Sequence, residues 1–180
     1  SITVPILPWL LSKDPALPGL ILNVREDKAL KFARQAAGIT LSPVYRKCFP
    51  HVKPSTKWGE GGYYLEIDDA ESHAGRVDPN IGAYGVGGNL AGSHVRALVV
   101  DDLINEKTYQ YPNQLEMAEG FLKEAMNCLD IGGLFVNCAT RWSYPDFYGK
   151  MEKGTLVSPT GEFKIFKRGA ERLVLGTNGE

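Results

Sequence analysis

Two adjacent carboxylates, Asp101 and Asp102, close the apolar run 97–100 and are followed by Leu103 and Ile104. An apolar run that stops abruptly in acids is how a buried parallel strand delivers charge at its carboxyl end. Neighbouring carboxylates repel each other, and desolvating both costs several kcal/mol per ion unless each is compensated. A divalent cation is the commonest compensation at a strand end. With magnesium, Asp101 would hold the ion through water and Asp102 would polarise an attacking water. A second apolar run, 134–139, ends in Thr140 and Arg141. A hydroxyl and a guanidinium beside two carboxylates make a set suited to phosphate chemistry.

The elements between these groups decide whether they meet. Residues 112–129 place Leu115, Ala118, Leu122, Ala125, Met126 and Leu129 on one stripe, opposite Glu116, Glu119, Lys123 and Glu124. That spacing predicts an amphipathic helix, which Asp130-Ile131-Gly132-Gly133 should end. Residues 97–142 therefore read strand, helix, strand. Such a crossover is right-handed and joins parallel strands. Asp101, Asp102, Thr140 and Arg141 should then share the sheet edge where open α/β proteins bind ligands.

Upstream, 2–12 predict a helix entered at Pro5 and kinked at Pro8, then a turn over 13–19 and a strand over 20–24. Ala29, Leu30, Ala33, Ala36 and Ala37 predict a helix with Gly38 as its stop. Residues 42–49 predict a short helix with Ser42 as N-cap and Pro43 at its first position. Strands are expected at 63–67 and 83–86, the first followed by Asp68, Asp69 and Glu71. The glycine-rich stretch 85–93 lacks a phosphate-loop Lys and precedes a strand, so it reads as a bend. A short helix is expected over 144–151, and strands at 163–166 and 173–175. The pattern is that of an α/β protein with a mainly parallel central sheet.

A chain of 180 residues, 43% hydrophobic and 23% charged, fits one globular domain. The net charge of −1 gives no global pull toward nucleic acid or membrane, so any DNA contact must be a local patch. Cys48, Cys128 and Cys138 are expected as buried free thiols in a reducing, intracellular setting. Cys48 and His51 have C-x-x-H spacing without a second ligand pair, so no zinc site is expected. The apolar start, 2–11, is too short to span a bilayer and lacks the features of a signal peptide. It opens in mid-run, like a sequence cut from a longer one.

Several blocks, taken in order, resemble the ATPase domain of the large terminase subunit of tailed bacteriophages, the DNA-packaging motor. E-D-K-A-L-K-F-A-R-Q (26–35) followed by L-S-P-V-Y-R-K-C-F-P (41–50) is similar to that family's strand-following helix and the segment after it. G-V-G-G-N-L-A-G (85–92) running into A-L-V-V-D-D-L-I (97–104) resembles its glycine segment and Walker B strand. N-C-A-T-R-W (137–142) resembles its coupling motif. The likeness spans residues 1–151.

The resemblance implies a P-loop NTPase fold of the RecA-like, additional-strand type. It implies one ATPase domain over 1–180, truncated at its amino end, with 152–180 as C-terminal strands or linker. The implied activity is Mg²⁺-dependent ATP hydrolysis that drives double-stranded DNA into a viral procapsid, in the cytoplasm of an infected bacterial host. The implied partners are a small terminase subunit and a portal protein that carries a homo-oligomeric ring; no membrane or secretion is implied. By position, Asp101 is the magnesium acid and Asp102 the water-orienting carboxylate. Thr140 senses the γ-phosphate and couples hydrolysis to movement, with Arg141 beside it. Ser1 falls where the phosphate-loop Ser/Thr belongs, so the glycine loop and its Lys are expected upstream. Ser93 stands where the family often has an arginine finger; Arg96 is close enough to be considered as a substitute, and a surface Arg is the favoured reading of it. Nothing after Met151 matches the family's nuclease domain, so nuclease activity is not expected. Three other readings stand beside this one: a different RecA-like or helicase-like ATPase, a two-metal nuclease using Asp68, Asp69, Asp101 and Asp102, and a non-catalytic fragment.

Overall fold

The structure is a computed structural model that describes residues 3–59, 62–66, 78–140, 146–156 and 163–166, without the side chains of 55–57. The chain runs α1 (Ile6–Leu11), β1 (Gly19–Asn23), α2 (Glu26–Leu41), α3 (Pro43–Cys48), β2 (Lys53–Gly59) and β3 (Gly62–Glu66). It continues through β4 (Ile81–Gly85), β5 (Val95–Asp101), α4 (Glu106–Gln110), α5 (Pro112–Asn127), β6 (Leu129–Cys138) and α6 (Phe147–Glu152). The strands form one sheet in the order β2-β3-β4-β1-β5-β6. β4, β1, β5 and β6 are parallel, β3 pairs antiparallel with β4, and β2 pairs antiparallel with β3. The protein is therefore α/β, with a mixed and mostly parallel central sheet.

The two-residue period of the strands sends alternate side chains into two cores. On one face Leu20, Leu22, Leu98 and Val100 meet Ala118, Leu122 and Ala125 of α5. On the other, Ile21, Ala97 and Val99 meet Leu7 and Leu11 of α1 and Ala29, Ala33 and Ala36 of α2. β1 and β5 lie mid-sheet and bury side chains on both faces, which is why they read as continuous apolar runs. The expected strand–helix–strand unit forms as β5–α5–β6, with Ala97 opposite Leu134 and Asp101 opposite Cys138. β6 is the outer strand on its side, and it is less buried than its neighbours: Ile131 is fully exposed.

Several boundaries differ from the sequence pattern. α2 runs past Gly38 to Leu41, because its last turn is anchored by the buried Thr40. The Thr40 hydroxyl lies 2.7 Å from the Ala37 carbonyl and 3.1 Å from the Tyr63 hydroxyl. That packing outweighs the roughly 1 kcal/mol that a mid-helix glycine costs. α1 begins only at Ile6, so Pro8 sits in the first turn, where its missing N–H would have no intrahelical acceptor. β6 begins at Leu129 rather than after Gly133; Gly132, at φ 79°, accommodates an irregular register against the start of β5. β2 and α4 have no counterpart in the sequence pattern. Residues 163–166 are irregular rather than a strand, and Phe163 stacks near Phe135 with ring centres 5.5 Å apart; residues 173–175 lie outside the described residues. α6 starts at Phe147, capped by the Asp146 carboxylate accepting from the Gly149 N–H at 2.8 Å. Cys128 is buried, but Cys138 is half-buried and Cys48 exposed, so the thiols are not uniformly internal. No described helix is long and apolar enough to cross a membrane.

Two glycines separate propensity from packing. A Cβ on Gly38 would meet nothing within 4 Å, whereas one on Gly85 would lie 2.5 Å from the Glu26 backbone nitrogen. Gly38→Ala is expected to stabilise the fold by about 0.5–1 kcal/mol. Gly85→Ala must push α2 off β4 and is expected to cost about 1–3 kcal/mol. Urea midpoints of the two variants check both signs.

Candidate functional site

The site is built where β5 ends and the backbone turns. Asn23, Asp101 and Cys138 are register partners across β1, β5 and β6. The Asn23 side-chain amide donates to the Asp101 carbonyl at 2.6 Å, and its oxygen accepts from the Arg25 N–H at 3.0 Å. One residue on, the Asp102 N–H donates to the Cys138 carbonyl at 3.0 Å, and the Asp102 carbonyl accepts from the Val24 N–H at 3.2 Å. Serving both neighbours puts Asp102 in the left-handed region at φ 48°, which Asp tolerates better than most residues.

That turn aims the two carboxylates differently. Asp101 is buried, and its Oδ1 accepts from the Thr3 hydroxyl at 3.2 Å. Asp102 is half-buried, and its Oδ1 accepts from the Thr140 N–H at 3.1 Å. Burial raises the Asp102 carboxyl above its ordinary value; the Thr140 N–H opposes this, the Asp101 charge adds to it, and Lys28 opposes it. Burial also raises the neighbouring Cys138 thiol, and both Asp charges push it the same way.

Asp101, Asp102 and Thr140 therefore come together as the sequence spacing implies. Ser1, Arg141 and Trp142 lie outside the described residues, as do Asp68, Asp69 and Glu71. Arg96 does not belong to this site. It stands near the start of β5, ion-paired with Asp14, and the strand carries Asp101 about 16 Å further along. It cannot stand in for an arginine finger in its own chain's site. His51 bonds the Ser12 carbonyl at 3.0 Å rather than joining Cys48 at a metal.

Two further residues, Thr3 and Asn23, support the site. Thr3 is fully buried, and its partner Asp101 lies 98 residues away. Asn23 is buried inside an apolar run. A lone amide in a strand is a readable signal, because a buried polar group needs partners. Thr3 offered none, since its partner is distant in sequence.

The side-chain oxygens at this corner are two carboxylates and a hydroxyl, with Asp101 turned toward Thr3 and Asp102 toward the Thr140 N–H. Magnesium is commonly held by one or two carboxylates, with water and phosphate oxygens filling its remaining positions. The site fits that pattern. It is not a closed protein cage, for no group of three or more His, Cys, Asp or Glu converges among the described residues.

The raised Asp102 pKa fixes a sign. The native state keeps this proton to higher pH than the unfolded chain does, so stability falls as pH rises from the ordinary value of 3.8 through the native one. In metal-free buffer, Asp102→Asn removes that slope. The variant should gain stability relative to the parent between about pH 3 and about pH 7, as read from urea midpoints at the two pH values. An unchanged difference between parent and variant would count against a perturbed Asp102. No protein-family model matches this chain, and no curated protein matches it, which leaves its own residues and their geometry as the ground for a functional reading.

Proposed function

We propose that this chain is the ATPase portion of a viral DNA-packaging motor of the large-terminase kind, a P-loop NTPase that hydrolyses Mg-ATP to move double-stranded DNA. The observation that carries the reading is the meeting of Asp101, Asp102 and Thr140 at the carboxyl edge of two parallel strands, with the Thr3 hydroxyl on Asp101. This is the edge at which open α/β sheets take ligands.

The topology offers independent support. α1 shares a sheet face with α2. A right-handed crossover that passes over this face into β1 starts from a strand beyond β5. β5 and β6 fill the first two positions on that side, so the next slot is the outer edge of β6. The reading needs a strand and a phosphate loop ahead of α1, and that slot suits them.

Magnesium, when bound, neutralises charge on the phosphates. Asp101 would hold it, positioned by Thr3 and by the backbone bond to Asn23. Asp102 would accept a hydrogen bond from the attacking water and orient it, while the Thr140 N–H ties Asp102 to the end of β6. A change at the γ-phosphate felt by Thr140 therefore reaches a strand end directly, which is a route from hydrolysis to movement. The proposed setting is the cytoplasm of an infected bacterium, with a portal-mounted ring of copies and a small terminase subunit as partners.

Residues 1–180 alone are expected to bind ATP poorly and to hydrolyse almost none, because the loop that grips the phosphates lies upstream in this reading. Extending the chain through its upstream coding sequence should restore turnover. In the extended protein, Asp102→Asn should keep ATP binding and lose about 10²-fold or more in hydrolysis. Asp101→Asn should also weaken Mg²⁺-dependent binding, and Thr140→Val should slow turnover with less effect on binding. Nucleotide affinity and phosphate release measure all three. Parental turnover by Asp102→Asn would overturn the assignment.

A further inference from the structure

A cleft of about 600 Å³ opens between α3 and β2, on the far side of the sheet order from β6. Arg46 and Lys47 reach it from the last turn of α3, and Lys53 from the first residue of β2. All three are exposed. Arg46 and Lys47 have no carboxylate partner among the described residues. One acid, Glu66, also lines the cleft, and it is the register partner of Lys53 across β2 and β3. Pro43, Pro50 and Pro54 supply walls whose backbone angles are fixed in advance. In a chain of net charge −1, three cations around one carboxylate, counted among the described residues, are a local exception.

We propose that this cleft binds the phosphodiester backbone of double-stranded DNA. Two features favour that ligand among phosphates. The cations are distributed, Arg46 and Lys47 on α3 and Lys53 on β2, so singly charged phosphodiesters spaced along a strand can each meet one of them. Among the described residues no aromatic side chain lines the cleft, so none of them stacks on the unpaired bases of a single strand. The contact is to backbone alone, so it is independent of base sequence, as a translocating protein requires. The inference rests on the packaging-motor reading only for the choice of DNA as the natural polyanion.

The test is fluorescence anisotropy of a short labelled duplex with the 1–180 chain, without nucleotide, across a salt series. The triple variant Arg46→Ala, Lys47→Ala, Lys53→Ala should lose at least about tenfold in affinity at low salt. Its log–log salt slope should become shallower by about 2, roughly one unit for each of Arg46 and Lys47, since Lys53 already faces Glu66. Glu66→Gln should bind more tightly than the parent, an outcome that a damaged fold would not give. Circular dichroism confirms that each variant is folded, and Lys47→Glu replaces the triple variant if that one is not. Unchanged affinity in the cation variants overturns the proposal. So does tighter binding of the matching single strand, or displacement of the duplex by inorganic phosphate beyond its ionic-strength effect. Because no ATP is present, failure here leaves the ATPase reading standing, and loss of that reading leaves this result intact.

Discussion

The carboxyl end of β5 is tied to the strands on both sides of it, and the candidate site follows from that tie. Val24 and Cys138 bond the two backbone groups of Asp102, while Asn23 holds the carbonyl of Asp101. Net contributions of about 1 kcal/mol per bond are comparable to the strain of a left-handed Asp, about 1–2 kcal/mol. The unusual backbone angle is thus held by its neighbours. It also separates the two carboxylates: one turns inward to Thr3, the other outward to Thr140.

Rigidity at that corner comes from both cores. The α2 face is lined by Ala29, Ala33, Ala36 and Ala37, and such small side chains let the helix lie close to the sheet. Polar groups that are buried at a distance are also matched. Asn80 is fully buried, accepts from the Leu65 N–H at 2.7 Å and donates to the Pro15 and Leu17 carbonyls at 2.8 and 3.0 Å. It fastens β3 to the turn that leads into β1. A site whose supporting strands are fixed in this way is organised before any ligand arrives.

The β5–α5–β6 unit was legible because its signals are local. A buried parallel strand is a plain apolar run, and α5 repeats its apolar residues at helical spacing. The convergence of Asp101, Asp102 and Thr140 follows from handedness once those elements are known. What escaped was either short or dependent on distant partners. β2 carries Lys, Pro and Ser in K-P-S-T-K-W-G and has no alternating face; as an edge strand it needs none. α4 is five residues long, too short for periodicity to register. Asp130 to Gly133 looks like a helix stop, yet β5 recruits it into β6. Gly38 looked like another, until the burial of Thr40 is taken into account.

The link from Asn23 to Asp101 spans 78 residues, with α2, α3, β2, β3 and β4 among the described elements between them. Closing a loop of that length carries its entropic cost before any contact repays it. The β2–β3 hairpin and the helices can form from nearby residues, but the pairing of β1 with β5 cannot. Synthesis proceeds from the amino end, so the ribosome must release the chain beyond Thr140 before the corner can be completed. Until then Asp101 and Asp102 stay solvated, and their mutual repulsion costs little in water. The acidic pair is therefore confined only after the rest of the sheet is available to hold it.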